Sequence, residues 1–415
     1  MVSELIAKAA KREFSQALLF DDTERPCIRY DSGKSLRLLY LHIPFCESLC
    51  PYCSFNRIAF EEKLCRRYFK ALRKEIRLYK KSGYDFGAIY LGGGTPTILI
   101  DELLKTIDLA ESIFSIREIS VETNPNHLTA ENLALLKHAG VNRLSVGIQS
   151  FDDELLKAMG RYHKYGSGTE IAERIRKALG KFHTVNADMI FNFPSQTEES
   201  LSRDIEILRS TGVDQVTYYP LMVSDSTKKA ISQNLGTVDF SRERKYYSMI
   251  TNALLPAYRF SSAWCFSKKD AMIDEYIVDY DEYAGLGSGS IGYMNGTCYA
   301  NTFSINEYID KLEKGEIPLM ASRTFGCREQ MRYDFMMKLF GLDLPFTLFA
   351  DKYRRTDRLL LIKDILPFVL TGALRYSNGR LRLTRRGRYF WVVMMREFFS
   401  AVNNFRDYCL AKKTK

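Results

Sequence analysis

The chain has 415 residues, long enough to bury a full core and to hold one large unit beside a smaller one. Its 46% hydrophobic and 27% charged residues are the balance of an ordinary soluble globular protein, and no apolar stretch approaches the roughly 20 residues of a membrane span. A net charge of +10 favours an anionic partner, whether nucleic acid, acidic lipid or a polycarboxylate small molecule, without choosing among them. Residues 1–8 lack a signal-peptide pattern and nine cysteines is an odd count, so a reducing, cytoplasmic location without disulfides is expected.

Residues 1–35 are mixed and polar, with Arg29 and Tyr30 leading into the first strand, and read as a packed arm or lid. An apolar run, 36–43, then reads as a buried strand and delivers Cys46, Cys50 and Cys53 within eight residues. Three thiolates so close can hold three irons of a [4Fe–4S] cube, leaving the fourth iron open to a small molecule that it can reduce. A zinc site would want four ligands in pairs, but Cys27, Cys65, Cys265, Cys298, Cys327 and Cys409 are scattered singly. His42 precedes the cysteines on a strand-like segment and is expected to point elsewhere. The spacing favours a cluster over zinc.

Strands are expected at 36–43, 87–91, 117–123, 142–147, 184–191 and 214–219, with helices at 61–82, 100–114, 129–139, 152–180 and 197–211 between them. This rhythm predicts an α/β fold with a parallel sheet and right-handed crossovers; a partial barrel and an open doubly wound sheet both fit. Residues 241–320 read as an extension of that sheet, through a helix at 241–256, an apolar 258–266 segment and the glycine-rich 284–292 stretch. Beyond Ser322 come basic helices, a hairpin turning at Asn378-Gly379, and a long amphipathic helix at 386–408. The organisation expected is an arm at 1–35, the main unit at 36–322 and a smaller, mainly helical unit with winged-helix character at 323–415.

Polar residues recur at the strand ends. Gly93 and Gly94, followed by Thr95, allow close backbone approach to a ligand, with amide N–H groups free to bind it. Glu122 ends an apolar strand, where a carboxylate is costly to bury unpaired; it is either a salt-bridge partner at a barrel rim or an acceptor for a ligand amine or ribose. Gln149 closes the next strand and Arg161 follows twelve residues on, while Asp188 lies in the strand after that. Tyr218 and Tyr219 end the sixth strand, as a core pair or the lining of a flat apolar pocket. His127, His138, His163 and His183 are read as ordinary surface or core residues.

The string from Tyr40 through His42 to C-x3-C-x2-C, with Tyr52 before the last cysteine, resembles the radical S-adenosylmethionine enzymes. Within them it resembles the branch of oxygen-independent coproporphyrinogen III oxidase and its haem chaperone relatives. The motifs recur in the family's order over residues 36–300. The resemblance implies a partial (β/α)6 TIM-type barrel, with Cys46, Cys50 and Cys53 holding the cluster. One or two S-adenosylmethionine molecules would be met by Tyr40, Gly93, Gly94, Thr95, Glu122, Gln149, Arg161 and Asp188. In the family the cofactor's amino and carboxylate groups chelate the open iron, and its reductive cleavage gives a 5′-deoxyadenosyl radical. An electron donor such as flavodoxin or ferredoxin is implied as partner.

The reaction that the resemblance implies first is oxidative decarboxylation of coproporphyrinogen III, whose four propionates suit a basic protein. Three features depart from the branch. The chaperones carry His-Asn-x-x-Tyr-Trp where this chain reads Asp274-Glu-Tyr-Ile-Val-Asp, which disfavours that reading. The oxidase has a further cysteine two residues after the cluster motif, where this chain has Phe55, and a glycine where it has Asn192. Relatives that methylate a tetrapyrrole or open the haem ring anaerobically stay open as alternatives. Nucleic-acid binding through Arg375, Arg380, Arg382, Arg385, Arg386 and Arg388 is the rival from another class, disfavoured against the enzyme.

Overall fold

The computed structural model describes residues 2–18, 20 and 37–412. Arg29 and Tyr30 of the expected arm lie outside the described residues. Helix Val2–Ala17 packs along the final helix, Arg385–Lys412, with Phe14 edge-on to Phe398 at 5.4 Å.

Six parallel strands form the centre, in chain order and each beside the next: β1 Leu38–Ile43, β2 Ala88–Gly93, β3 Glu118–Thr123, β4 Arg143–Gln149, β5 Thr184–Phe191 and β6 Gln215–Pro220. Helices Glu62–Lys81, Ile100–Ile113, Ala130–His138, Gly168–Ala178 and Glu198–Thr211 make the crossovers. This is a six-unit partial barrel. Each strand alternates with period two, as a strand must. Its outer face is fully buried and apolar, with Leu39, Leu41, Ile89, Leu91, Val121, Leu144, Val146, Val185 and Val216 packed against the helices. The inner face is polar along its length and not only at the strand ends: Tyr90, Glu122, Arg143, Ser145, Asn186, Asp188, Gln215, Thr217 and Tyr219 hydrogen-bond inside the lumen.

The expected extension exists, but on both sheet edges. Cys265–Ser267 adds antiparallel to β6 and Arg259–Phe260 adds antiparallel to it in turn, whereas Tyr283–Leu286 pairs parallel with β1 and is followed outward by Ile291–Met294, Thr297–Asn301 and Leu319–Thr324. The chain joins the two edges by crossing under the N-terminal ends of the strands. There Met272 packs with Leu38 and Ala88, and its carbonyl accepts from Gln215 Nε2 at 3.2 Å. This crossing segment plugs the barrel from below.

The helix expected at 152–180 is three pieces: Asp153–Ala158, Tyr162–Tyr165 and Gly168–Ala178. Gly160 and Gly166 break it with φ of 68° and 92°, values that glycine adopts without strain. The first break turns Arg161 inward. Asn192 has φ 71°, a left-handed conformation that asparagine adopts more readily than most residues. The C-terminal part carries Asp343–Pro345 and the hairpin Leu374–Ser377/Arg380–Leu383 as one three-stranded sheet, with Asn378 and Gly379 both at positive φ in its turn.

Candidate active site

The cysteine loop leaves the C-terminal end of β1 and is closed by pairing of Phe45–Cys46 with Ile58–Ala59. Arg57 ties it from within, donating from Nη2 to the carbonyls of Cys50 at 2.5 Å and Cys53 at 2.9 Å. Cys46 and Cys50 are buried and Cys53 half-buried. Loss of water and the neighbouring Cys53 push the free Cys46 thiol up to about 12. Such a thiol surrenders its proton when a metal takes the sulfur. His42 is not directed at the cysteines: Nε2 meets the Asn56 carbonyl at 2.7 Å, so it carries the proton, and Nδ1 accepts from the Tyr40 hydroxyl at 2.9 Å.

A chain of polar contacts links two of the cysteines. The Thr95 hydroxyl lies 3.9 Å from Cys46 Sγ and accepts from Asn124 Nδ2 at 2.8 Å. Arg161 Nη2 donates to Asn124 Oδ1 at 3.3 Å, and Nη1 reaches Cys50 Sγ at 3.5 Å. Nη2 also donates to the Gly147 carbonyl at 2.6 Å, and the guanidinium lies over the Tyr165 ring. Thr95 and Arg161 thus come together at the cysteine loop, brought there by the ends of β2, β3 and β4.

The glycine run passes hard against that loop. A Cβ on Gly94 would sit 2.6 Å from the Phe45 carbonyl oxygen and 2.9 Å from Cys46 Sγ; Gly93, at φ 113°, would strike His42. The amide N–H groups are not free as expected, because Gly93 donates to Glu122 Oε2 at 3.0 Å and Gly94 to the Ile43 carbonyl at 2.7 Å. Neither of these two amides is left to bind a ligand.

Glu122 is half-buried; it accepts from the Gly93 N–H at 3.0 Å, and its Oε1 lies 2.9 Å from the Tyr90 hydroxyl, whose single proton goes to Asp274 Oδ1 at 2.6 Å. Among the described residues no lysine or arginine forms an ion pair with Glu122. Burial first, and then Asp274, lift its carboxyl to about 7. Gln149 stands at φ 71°, and its buried Oε1 has no partner among the described residues; nor has the buried Nε of Arg161. Buried polar atoms are rarely left so.

Asp188 lies deeper. It accepts from Ser145 Oγ at 2.8 Å and Asn186 Nδ2 at 2.7 Å and faces Asp274 rather than the cysteine loop. Tyr40 is flanked by the Tyr90 and Tyr276 rings, and burial raises its hydroxyl well above the usual value. Tyr219 donates to Asp274 in the lumen at 2.8 Å, and Tyr218 is buried on the outer face, so the pair does not line the apolar cavity described below. His127 braces the loop through Thr97 and Glu47. Three residues escaped the sequence reading: Asn124 and Arg57, each beside a motif, and Asp274, which carries no local signal.

No three His, Cys, Asp or Glu side chains among the described residues converge as ligands of one metal ion. Three thiols in one loop, an arginine beside them and two buried polar atoms without partners suit a cluster with a polar organic ligand. Of the C-terminal arginines, Arg380 and Arg382 pair with Asp343, Arg388 covers Phe260 and Arg386 covers Phe390, while Arg375 stands opposite Arg382 in the hairpin. Among the described residues no helix is long and apolar enough to cross a membrane.

Residues 40–208 match the family model of the radical SAM superfamily. The chain is 31% identical over 373 residues to the heme chaperone HemW of Bacillus subtilis, covering 85% of this chain and 96% of the relative. It is 28% identical to anaerobilin synthase of Escherichia coli O157:H7, covering 89% and 85%. Its fold matches the solved structure of coproporphyrinogen III oxidase (HemN) from Escherichia coli with a TM-score of 0.72, at 20% identity and 93% coverage of both chains. The chain belongs to the radical SAM superfamily, whose members use a [4Fe–4S] cluster and S-adenosylmethionine. Its branch is that of the oxygen-independent coproporphyrinogen III oxidase-like proteins.

Proposed function

We propose that this protein is a radical S-adenosylmethionine enzyme acting on a tetrapyrrole. One observation carries the reading. A cavity of about 850 Å³ borders the barrel at Tyr40 and His42 and the cysteine loop at Phe55 and Asn56. Its walls are largely apolar, drawn from Phe14, Phe303, Phe335, Met394 and Phe398 among others, with arginines among the lining side chains. That volume and mixture suit a flat apolar macrocycle bearing acidic side chains.

Cys46, Cys50 and Cys53 would hold the cluster, and Glu122, Gln149, Arg161 and the Gly93–Thr95 strip would hold S-adenosylmethionine. Once bound, these groups supply a one-electron reduction that yields a hydrogen-abstracting radical. The protein's part is to bind, orient and exclude water. Arg161 offers a carboxylate two-point contact, Glu122 offers an amine an acceptor, and Arg57 and Arg161 hold the loop in one shape. We assign residues 323–415, with the N-terminal helix, the role of a cover over the cavity.

The reaction put first is oxidative decarboxylation, in which each of two propionates would lose a hydrogen atom to the 5′-deoxyadenosyl radical, carbon dioxide, and one electron to a one-electron acceptor, to become a vinyl group. A second reading, methyl transfer to the macrocycle or its opening, is favoured by Phe55, which stands over the cavity where the oxidase has its additional cysteine. The chaperone reading is disfavoured by the segment that would carry its histidine and tryptophan. Here Asp274 and Glu275 are buried and bonded to Arg143 and Trp264.

The test is anaerobic incubation of reconstituted protein, S-adenosylmethionine and reductant with coproporphyrinogen III or haem, followed by product mass. Loss of two carboxyl groups supports decarboxylation, and gain of a methyl group supports the second reading. An unchanged mass with both tetrapyrroles, in protein that cleaves S-adenosylmethionine, overturns the substrate assignment.

A further inference from the structure

Arg406 lies on the face of the final helix that lines the cavity, together with Phe398, Val402 and Asn403. It is 6% exposed. Among the described residues its one hydrogen-bond partner is the adjacent Asp407, at 3.3 Å from Nη2, and that side chain also accepts from the Ser226 amide. Asn403, one turn back and buried as well, makes no hydrogen bond to a described residue. Other cations of the cavity are better compensated: Arg332 makes a two-point contact with Asp364, and Arg323 pairs with Glu329.

The placement of Arg406 distinguishes it from Arg161. Arg161 reaches Cys50 from the barrel side. Arg406 approaches from the final helix, in a cavity that it shares with His42 and with Phe55 and Asn56 of the cysteine loop. A guanidinium has five donors in a planar fork, and one buried beside a single weak carboxylate contact is built for a further anion. Burial also pulls this guanidinium below its ordinary value, a cost that a second carboxylate would offset.

We infer that Arg406, with the Asn403 amide one turn before it, anchors a carboxylate side chain of the substrate and fixes which edge of the macrocycle faces the cysteine loop. The inference rests on the tetrapyrrole reading above. It makes the final helix a determinant of regiochemistry, since Arg406 lines the same cavity as Phe55 and Asn56 of the cysteine loop.

The experiment is equilibrium binding to full-length, reconstituted protein without reductant. The probes are coproporphyrin III, its neutral tetra-amide and S-adenosylmethionine, measured in wild type, Arg406→Gln and Arg406→Lys. Iron content and melting temperature are measured on the same samples. Arg406→Gln should weaken coproporphyrin III about tenfold or more, as loss of a charged hydrogen bond does. Arg406→Lys should weaken it less, and the tetra-amide should bind all three proteins alike. Equal coproporphyrin III affinity in wild type and Arg406→Gln overturns the anchor and spares the tetrapyrrole reading. So does weakened S-adenosylmethionine binding with unchanged porphyrin binding, which would assign the guanidinium to the cofactor. A wild-type protein that binds neither porphyrin overturns the reading beneath it. Should Arg406→Gln lose iron or fold, Arg406→Lys against the tetra-amide still decides.

Discussion

Asp188 and Asp274 face each other inside the barrel, both in reach of Asn186 Nδ2, and their mutual repulsion leaves one of them protonated. Arg143 Nη1 sits 2.7 Å from Asp274 Oδ1, and Tyr90, Thr217 and Tyr219 donate to the same carboxylate. Asp274 is therefore held ionised, below the usual carboxylate range, while burial and Asp274 itself push Asp188 well above it. The pair carries one negative charge against one guanidinium.

That asymmetry separates two similar substitutions. Asp188→Asn replaces a protonated carboxyl by an amide of the same shape, and should change unfolding free energy by less than about 1 kcal/mol. Asp274→Asn leaves Arg143 buried without its counter-ion, and should cost about 3–5 kcal/mol. Urea unfolding of both variants checks this; equal losses would contradict the proton assignment.

For the cluster, anaerobic reconstitution should yield about four irons per chain. Alanine at Cys46, Cys50 or Cys53 should abolish the bound iron, whereas serine at Cys65 or Cys265, both buried away from the loop, should leave it. One tightly bound zinc and no iron in the wild type would refute the cluster.

Cofactor affinity should depend on pH through Glu122. Its carboxyl titrates at about 7, and an amine ligand prefers the ionised form, so affinity should rise with pH up to about 7 and level off above it. Below 7 each pH unit costs about 1.4 kcal/mol, a factor of ten. Glu122→Gln should be weak and flat across this range, and Arg161→Ala weak but still sloped. Isothermal titration with S-adenosylmethionine from pH 5.5 to 8.5 provides the test.

Glu75 gives a stability counterpart. It is buried and accepts from Gly287 N–H at 2.8 Å, Asn301 Nδ2 at 2.8 Å and Tyr308 OH at 2.5 Å, yet burial lifts it to about 7. A carboxyl raised in the folded state adds stability that is complete below its unfolded value of about 4.5 and is lost as pH rises through 7. Glu122, Asp204 and Glu275 have the same sign. The metal-free protein should therefore melt at lower temperature at pH 9 than at pH 6. Glu75→Gln should remove roughly 3 kcal/mol of that dependence, since each tenfold difference in proton affinity between folded and unfolded chain is worth about 1.4 kcal/mol.

The six strands were legible because β-branched runs alternate with amphipathic helices, a pattern written in local sequence. The cysteine loop, Thr95 and Arg161 were legible through motif order, and the structure brings them together. The break at Gly160 was visible as a glycine but not as the turn that aims Arg161. The polar lumen was half-visible: Ser145, Asn186 and Gln215 alternate with apolar neighbours, yet an apolar strand with a polar end looks similar in one dimension. Asp274 was illegible because its partners come from four strands distant in sequence.

The crossing segment beneath the barrel has a consequence for biogenesis. Arg143 leaves the ribosome long before Asp274, so a nascent chain that has emerged only through β6 holds all six strands but not the carboxylate that pairs with the guanidinium in their midst. Domain-scale folding during synthesis must wait, or proceed with an open lumen, until residue 283 docks on β1 and draws the plug across. The two sheet edges are then fixed by a single stretch of chain, and a nick between residues 268 and 282 would strike the late step of assembly rather than any strand.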